Sequence, residues 1–158
     1  PRLAYRDVAS ATNRTTLIAA ILPAGVVSVH TVFCLHTPMP PRDQRVLCAL
    51  LNSFVANYLV RRRVTMHVTA GILGALPVPV RARDRDWFEG LDVAAEALLT
   101  GRSAPDAAAQ AHALAAEAYG LDETELRRVL ATFPLVSCGE RDAVLAAFLT
   151  RTPRRSSR

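Results

Sequence analysis

The chain has 158 residues, 51% apolar and 21% charged, which fits one compact domain, or a small domain with a helical extension, and excludes wholesale disorder. Its net charge is +5, and all nineteen basic residues are arginine. Cys34, Cys48 and Cys138 are odd in number and form no Cys-x-x-Cys pair, so the sequence argues against a disulfide framework and for a reducing cytoplasm.

In chain order, residues 3–8 are expected as a short strand, followed by a polar turn through Ser10, Thr12, Asn13 and Arg14. Residues 16–22 form a near-continuous apolar run with β-branched members, the pattern of a buried strand. Pro23-Ala24-Gly25 marks a turn, and the alternation over residues 26–35 predicts a second long strand. Pro38-Met39-Pro40-Pro41 then opens a helix. In it Leu47, Leu50, Leu51, Phe54, Tyr58 and Leu59 recur at helical spacing, with Asn52, Ser53 and Asn57 largely outside the stripe. Arg61, Arg62 and Arg63 end that helix, and a Pro-Val-Pro exit closes the stretch at Val80.

Beyond Val80 the pattern changes. Residues 81–86 read as a charged linker, and helices are expected over 87–99, 105–119, 122–133 and 141–149. Asp122 with Glu125 has the spacing of a capping box, and Gly101, Gly120 and Pro134 punctuate helix ends. The expected fold class is α+β: a small mixed sheet with one long amphipathic helix, followed by a helical C-terminal half. The expected division is an α/β part over 1–80, a helical extension over 81–150 and a basic disordered tail over 151–158. A start at Pro1 rather than Met reads as a piece of a longer polypeptide.

Charge is unevenly placed along these parts. Residues 1–80 carry eight arginines against Asp7 and Asp43, a balance of +6. Residues 81–150 carry seven arginines against twelve acids, a balance of −5, and the tail adds four arginines. A basic first half beside an acidic helical half is the asymmetry expected where only one half meets nucleic acid. The lack of lysine and the abundance of alanine fit a GC-rich genome, so a single arginine says little by itself. The gradient between the halves is harder to explain by that bias.

Much familiar chemistry is missing. The seven glycines are scattered, with no glycine-rich loop after the first strand and no Asn-Pro-Pro-aromatic motif of the kind that holds an adenine amino group. Without lysine there is neither a phosphate-cradling Gly-Lys-Ser/Thr loop nor the acid-acid-lysine set of a Mg-dependent nuclease, and no Gly-x-Ser-x-Gly elbow is present. His30, Cys34 and His36 share a strand face if the period of two holds, and all are zinc-capable. No fourth ligand sits at a suggestive spacing, so they read as polar strand residues. The longest apolar run, residues 17–29, is interrupted by Pro23 and Gly25 and is too short to span a bilayer. The chain is expected to be non-catalytic, with no metal site, no cofactor of its own, no membrane contact and a cytoplasmic location.

The order of segments carries a resemblance. YRDVASATNRTTLIAAILPAG precedes the LLNSFVANYLVRRR helix, HVTAGILGALPVPV follows it, and AAEAYGLDETELRRVLATFP comes later. Over residues 3–135 this resembles the C-terminal target-recognition (TaqI-like specificity) region of type IIG and BREX-type adenine-N6 DNA methyltransferases. The resemblance implies an upstream methyltransferase domain of the same polypeptide that binds S-adenosylmethionine and flips out an adenine, with or without an endonuclease activity in the same protein. This chain would hold the part that positions double-stranded DNA in restriction-modification or phage defence.

The residues it singles out each have a plainer reading. Arg61, Arg62 and Arg63 are candidates for the phosphate backbone, or a solvated helix end where cations suit the helix dipole. Asn13, Arg14 and Thr15 contact DNA or the neighbouring domain, or form a turn that satisfies local backbone groups. His67 and Thr69 are weaker base-reading candidates. Asn52 and Ser53 are expected to form a structural network, and Leu76 and Pro77 to serve packing and chain direction. The rival class is a non-catalytic protein-interaction or scaffold module, or a degenerate remnant, favoured by the lost catalytic motifs and the Ala-rich helical faces.

Overall fold

The computed structural model describes residues 1–80, 86–101 and 104–151. The expected linker, apart from Asp86, and the tail beyond Arg151 lie outside the described residues. The fold is α+β with a helical C-terminal half, as the sequence implies. Strands β1 (Arg2–Arg6), β2 (Ala19–Leu22) and β3 (Val32–Cys34) form a sheet of order β2-β1-β3, antiparallel throughout rather than mixed. Helices follow as α1 (Pro41–Asn52), α2 (Phe54–Arg61), α3 (Ala70–Gly74), α4 (Trp87–Leu99), α5 (Ala104–Ala118), α6 (Glu123–Ala131) and α7 (Cys138–Arg151).

Two expected strands are shorter than their patterns. Thr16 and Leu17 are fully buried but unpaired with a strand, because both their amides donate to the Asn57 side chain. Pairing on that edge starts only where the Arg6 amide reaches the Ile18 carbonyl. In the 26–35 segment only Val32–Cys34 joins the sheet. Since β3 lies on the far side of β1, the connection from β2 has to cross a sheet face. Ser28 meets Cys34 at 3.4 Å on that path, and Val27 and Val29 are left 89% and 67% exposed.

The long helix is broken at Ser53, whose backbone is extended. Serine achieves both ends of the break: its amide and hydroxyl donate to the Leu50 carbonyl, and its hydroxyl accepts from the Ala56 amide at 3.1 Å as the N-cap of α2. The kink divides the expected single apolar stripe among three clusters. Leu51 and Val60 pack with Leu3, Tyr5, Leu17 and Val68 beneath the sheet. Val46 and Leu50 pack with Trp87, Leu91 and Leu114, while Phe54 and Val55 pack with Leu126, Phe133 and Phe148. Asn57, expected outside the stripe, is fully buried.

The helical half follows its local signals closely. Asp122 and Glu125 form the expected capping box at 2.8 and 2.9 Å. Gly120 takes φ 73°, where a side chain would be strained, and ends α5. Helix α7 begins three residues earlier than expected, because Ser137 and Glu140 cap it with the same Ser-x-x-Glu logic. Among the described residues no helix is long and apolar enough to cross a membrane.

His112 of α5 lies against the Phe54 ring at 4.1 Å, at the seam between α2 and the helical half. Its pKa is pushed down to about 4, chiefly by burial and then by Arg14, with Glu140 opposing. The folded chain therefore binds this proton less readily than the unfolded chain, whose His titrates near 6.5. Stability is full above pH 6.5 and falls as the pH drops towards 4, by at most about 3 kcal/mol. Urea midpoints across that window should show the loss, and His112→Gln should flatten it. Replacing Asn57 by Ala would strand the buried Thr16 and Leu17 amides, so urea unfolding should register a loss of roughly 3 kcal/mol.

Candidate nucleic-acid interface

The interface expected from the sequence is built at the far end of α2. Val60 is fully buried beneath the sheet, and this fixes which way the next three arginines leave the helix. Arg61 turns inward. Its Nε donates to Thr16 Oγ1 at 3.1 Å, one Nη to the Thr132 carbonyl at 2.7 Å, and the other to the Arg14 carbonyl at 3.0 Å and to the Asn13 carbonyl. The guanidinium also lies 4.1 Å over the fully buried Phe133 ring. Burial lowers its pKa from the ordinary arginine value.

Arg61, expected as a phosphate candidate, is thus directed at the protein itself. Four of the five N–H groups of a guanidinium are spent on the protein itself, three of the four bonds going to backbone carbonyls. The dipole reading is nearer the mark, though for another helix: Thr132 is the C-cap of α6, so Arg61 caps the negative end of α6.

Arg62 and Arg63 face outward. Arg62 rests on Tyr58, donating to its hydroxyl at 3.0 Å, and Arg63 reaches the Ala75 carbonyl at 3.3 Å. Both are exposed, and among the described residues neither meets a carboxylate.

The other named residues are placed as follows. Asn13 and Arg14 give their carbonyls to Arg61, so their backbone serves the fold, and the Arg14 side chain pairs with Glu140. That contact and the Ser137 bonds hold the Glu140 carboxyl below its usual range. Thr15 is half-buried beside them, at the mouth of a cleft. His67 Nδ1 meets Asp7 Oδ2 at 2.7 Å, and Val68 donates to the Asp7 carbonyl, so residues 66–68 pair with the chain leaving β1. Thr69 caps α3 through the Ile72 amide at 3.2 Å. Asn52 and Ser53 form the expected structural network: the Asn52 carboxamide donates to and accepts from Ala19 at 2.9 and 3.0 Å.

The charge gradient is partly consumed inside the fold. Arg42 pairs with Glu89 and Asp92, Arg45 with Asp92 and Arg14 with Glu140, each joining the basic half to the acidic half. Sequence reading had no means of seeing these long-range pairs. It also passed over Ser137-x-x-Glu140, whose spacing is a visible capping signal.

Among the described residues no group of three His, Cys, Asp or Glu side chains gathers to hold a metal, and Cys34 meets Ser28 instead. The chain leaving β1 runs through Val8 and Ala9 without a glycine or a helix. No protein-family model, curated protein or solved structure matches the chain.

The three arginines should therefore separate in a stability assay. Arg61→Gln should cost roughly 2–4 kcal/mol in urea unfolding, for the lost carbonyl bonds and the ring contact. Arg62→Gln and Arg63→Gln should each stay within about 0.5 kcal/mol of the parent.

Proposed function

We propose that the chain is a DNA-binding target-recognition fragment of an adenine-specific DNA methyltransferase of the restriction-modification or phage-defence kind. It positions a duplex for a catalytic domain outside this sequence, which would bind S-adenosylmethionine, and it works in the cytoplasm. One observation carries the reading: Arg62 and Arg63 are adjacent, exposed and, among the described residues, free of carboxylates, at a helix end held in place by Arg61. In a chain whose every lysine-type position is arginine, a compositional bias alone would scatter such residues against the available acids. Arg14, Arg42, Arg45, Arg127 and Arg151 do pair with acids. Among the described residues the pair at the end of α2 does not, nor do Arg2, Arg6, Arg128 and Arg141, but Arg62 and Arg63 are neighbours in sequence, and phosphates are the partner that two neighbouring guanidinium groups suit.

His67 and Thr69 sit on the same exposed stretch after α2 and support the reading less directly, since each already has a role within the fold. A second reading, a module that docks on protein, draws on the exposed Val27, Val29 and Phe33 at the sheet.

Anisotropy of a labelled duplex across a salt series tests the first reading. Affinity should fall with salt, and the Arg62→Gln/Arg63→Gln double variant should bind more weakly. Its log–log slope should be shallower by roughly 1.8, the loss of two phosphate contacts. An unchanged slope in a folded double variant would remove these residues from the interface and leave the protein-docking reading ahead.

A further inference from the structure

A cleft of about 390 Å³ lies where β2, α1, α4, α5 and the start of α7 meet, away from the end of α2. Its walls are mostly apolar, with Ala49, Ala95, Leu98, Leu99 and Ala111 among them. That size and lining suit a small organic molecule.

The polar groups around it are nearly all spent. Arg14 is paired with Glu140 and Arg45 with Asp92, so the charges at the rim are balanced. The Asn52 carboxamide is used on Ala19. Cys48 is a neutral thiol, its pKa pushed up to about 11 by burial.

The Thr15 hydroxyl is one exception and His112 the other. The His112 ring is stacked on Phe54, and its Nδ1 is sealed from solvent with no hydrogen-bond partner. A buried donor without an acceptor is rarer and less tolerable than a buried acceptor without a donor. The proton of this neutral imidazole therefore belongs on Nε2, with the bare lone pair at Nδ1. The cleft then offers an apolar volume, a charge-balanced rim that includes the Thr15 hydroxyl, and a hydrogen-bond donor in His112.

We propose that this cleft binds an uncharged, largely apolar small molecule that carries one carbonyl-type acceptor, held by His112 Nε2–H. A carboxylate of the same length fits less well, because the rim arginines already hold Glu140 and Asp92, so its charge would be desolvated beside balanced pairs. The site is independent of the DNA reading. It joins walls from residues 14–54 to walls from residues 95–140, so an occupant would also tie the two halves together.

The full chain titrated with 2-nonanone and, separately, with nonanoate tests this, read by the His112 imidazole NMR signals and by thermal unfolding. Saturable shifts of those signals with 2-nonanone, together with a raised Tm, are expected, and nonanoate should bind at least tenfold more weakly. His112→Phe keeps the ring but loses the donor, and should weaken 2-nonanone binding about fivefold, the worth of one hydrogen bond. Ala49→Leu, which fills the cleft, should abolish binding in a folded chain. Unmoved His112 signals up to the solubility limit of the ketone would overturn the proposal. So would nonanoate binding as tightly as 2-nonanone, or a folded His112→Phe chain binding the ketone unchanged.

Discussion

The Asn57 side chain, fully buried, accepts two backbone amides, from Thr16 and Leu17, each at 2.8 Å. Those amides have left the sheet, and no other group takes them. The same carboxamide donates back to the Ser53 carbonyl at 3.0 Å, at the break between α1 and α2. One side chain thus fastens the approach to β2 onto the kink of the central helix. Asn52 on one side repeats the device at Ala19, and Arg61 on the other repeats it at Asn13, Arg14 and Thr16. Residues 13–19 are in effect held by side chains in the way a neighbouring strand would hold them. A buried backbone has to find its partners somewhere, and here the helix supplies them.

The kink follows from that constraint and shapes everything packed around it. A straight helix would present one apolar stripe to one partner. Broken at Ser53, the two pieces present apolar residues to the sheet, to α4 and α5, and to α6 and α7. The last of these clusters contains Phe133, which Phe54 and Arg61 both touch. The sheet half and the helical half therefore share a core through this helix, and the ion pairs from Arg42 and Arg45 to α4 reinforce that sharing at its surface. The surface pairs add little stability by themselves. Their consequence is electrostatic: they remove three apparent cations of the first half, Arg14 included, from any outward role.

What was legible in the sequence was local. Helix α4 matched its expected range, and α6 was placed by its capping box. Asn52 and Ser53 were legible as structural because polar residues beside an apolar stripe in mid-helix need a reason to be there. What was illegible depended on contacts far apart in sequence. The run over residues 16–22 has strand composition, yet Asn57, some forty residues on, claims its first amides. The alternation over 26–35 is real, but β1 offers it only a short free edge, so most of it crosses the sheet instead of joining it. Seven of the ten expected strand residues fall outside β3 for this reason and not for want of propensity.

The arginine triplet shows the same division on the functional side. Helix α2 ends at Arg61, with Arg62 as its C-cap and Arg63 in the turn beyond, so the three identical side chains leave the backbone in different directions and do not share one environment. Arg61 falls on the side facing residues 13–16 and α6, and there it is consumed by carbonyls. Its neighbours fall outside and keep most of their donors, each spending one on Tyr58 or Ala75. Fixing the first of the three also orders the other two, because the helix end that carries them is tied to two other segments. An exposed arginine ordinarily gives up rotamer freedom when it grips a phosphate, and a rigid base leaves only the side chain's own freedom to lose. In a chain with arginine as its only basic residue besides histidine, the useful evidence is therefore the partner each guanidinium has or lacks. Arg62 and Arg63 lack a carboxylate among the described residues at a site whose backbone is already in place.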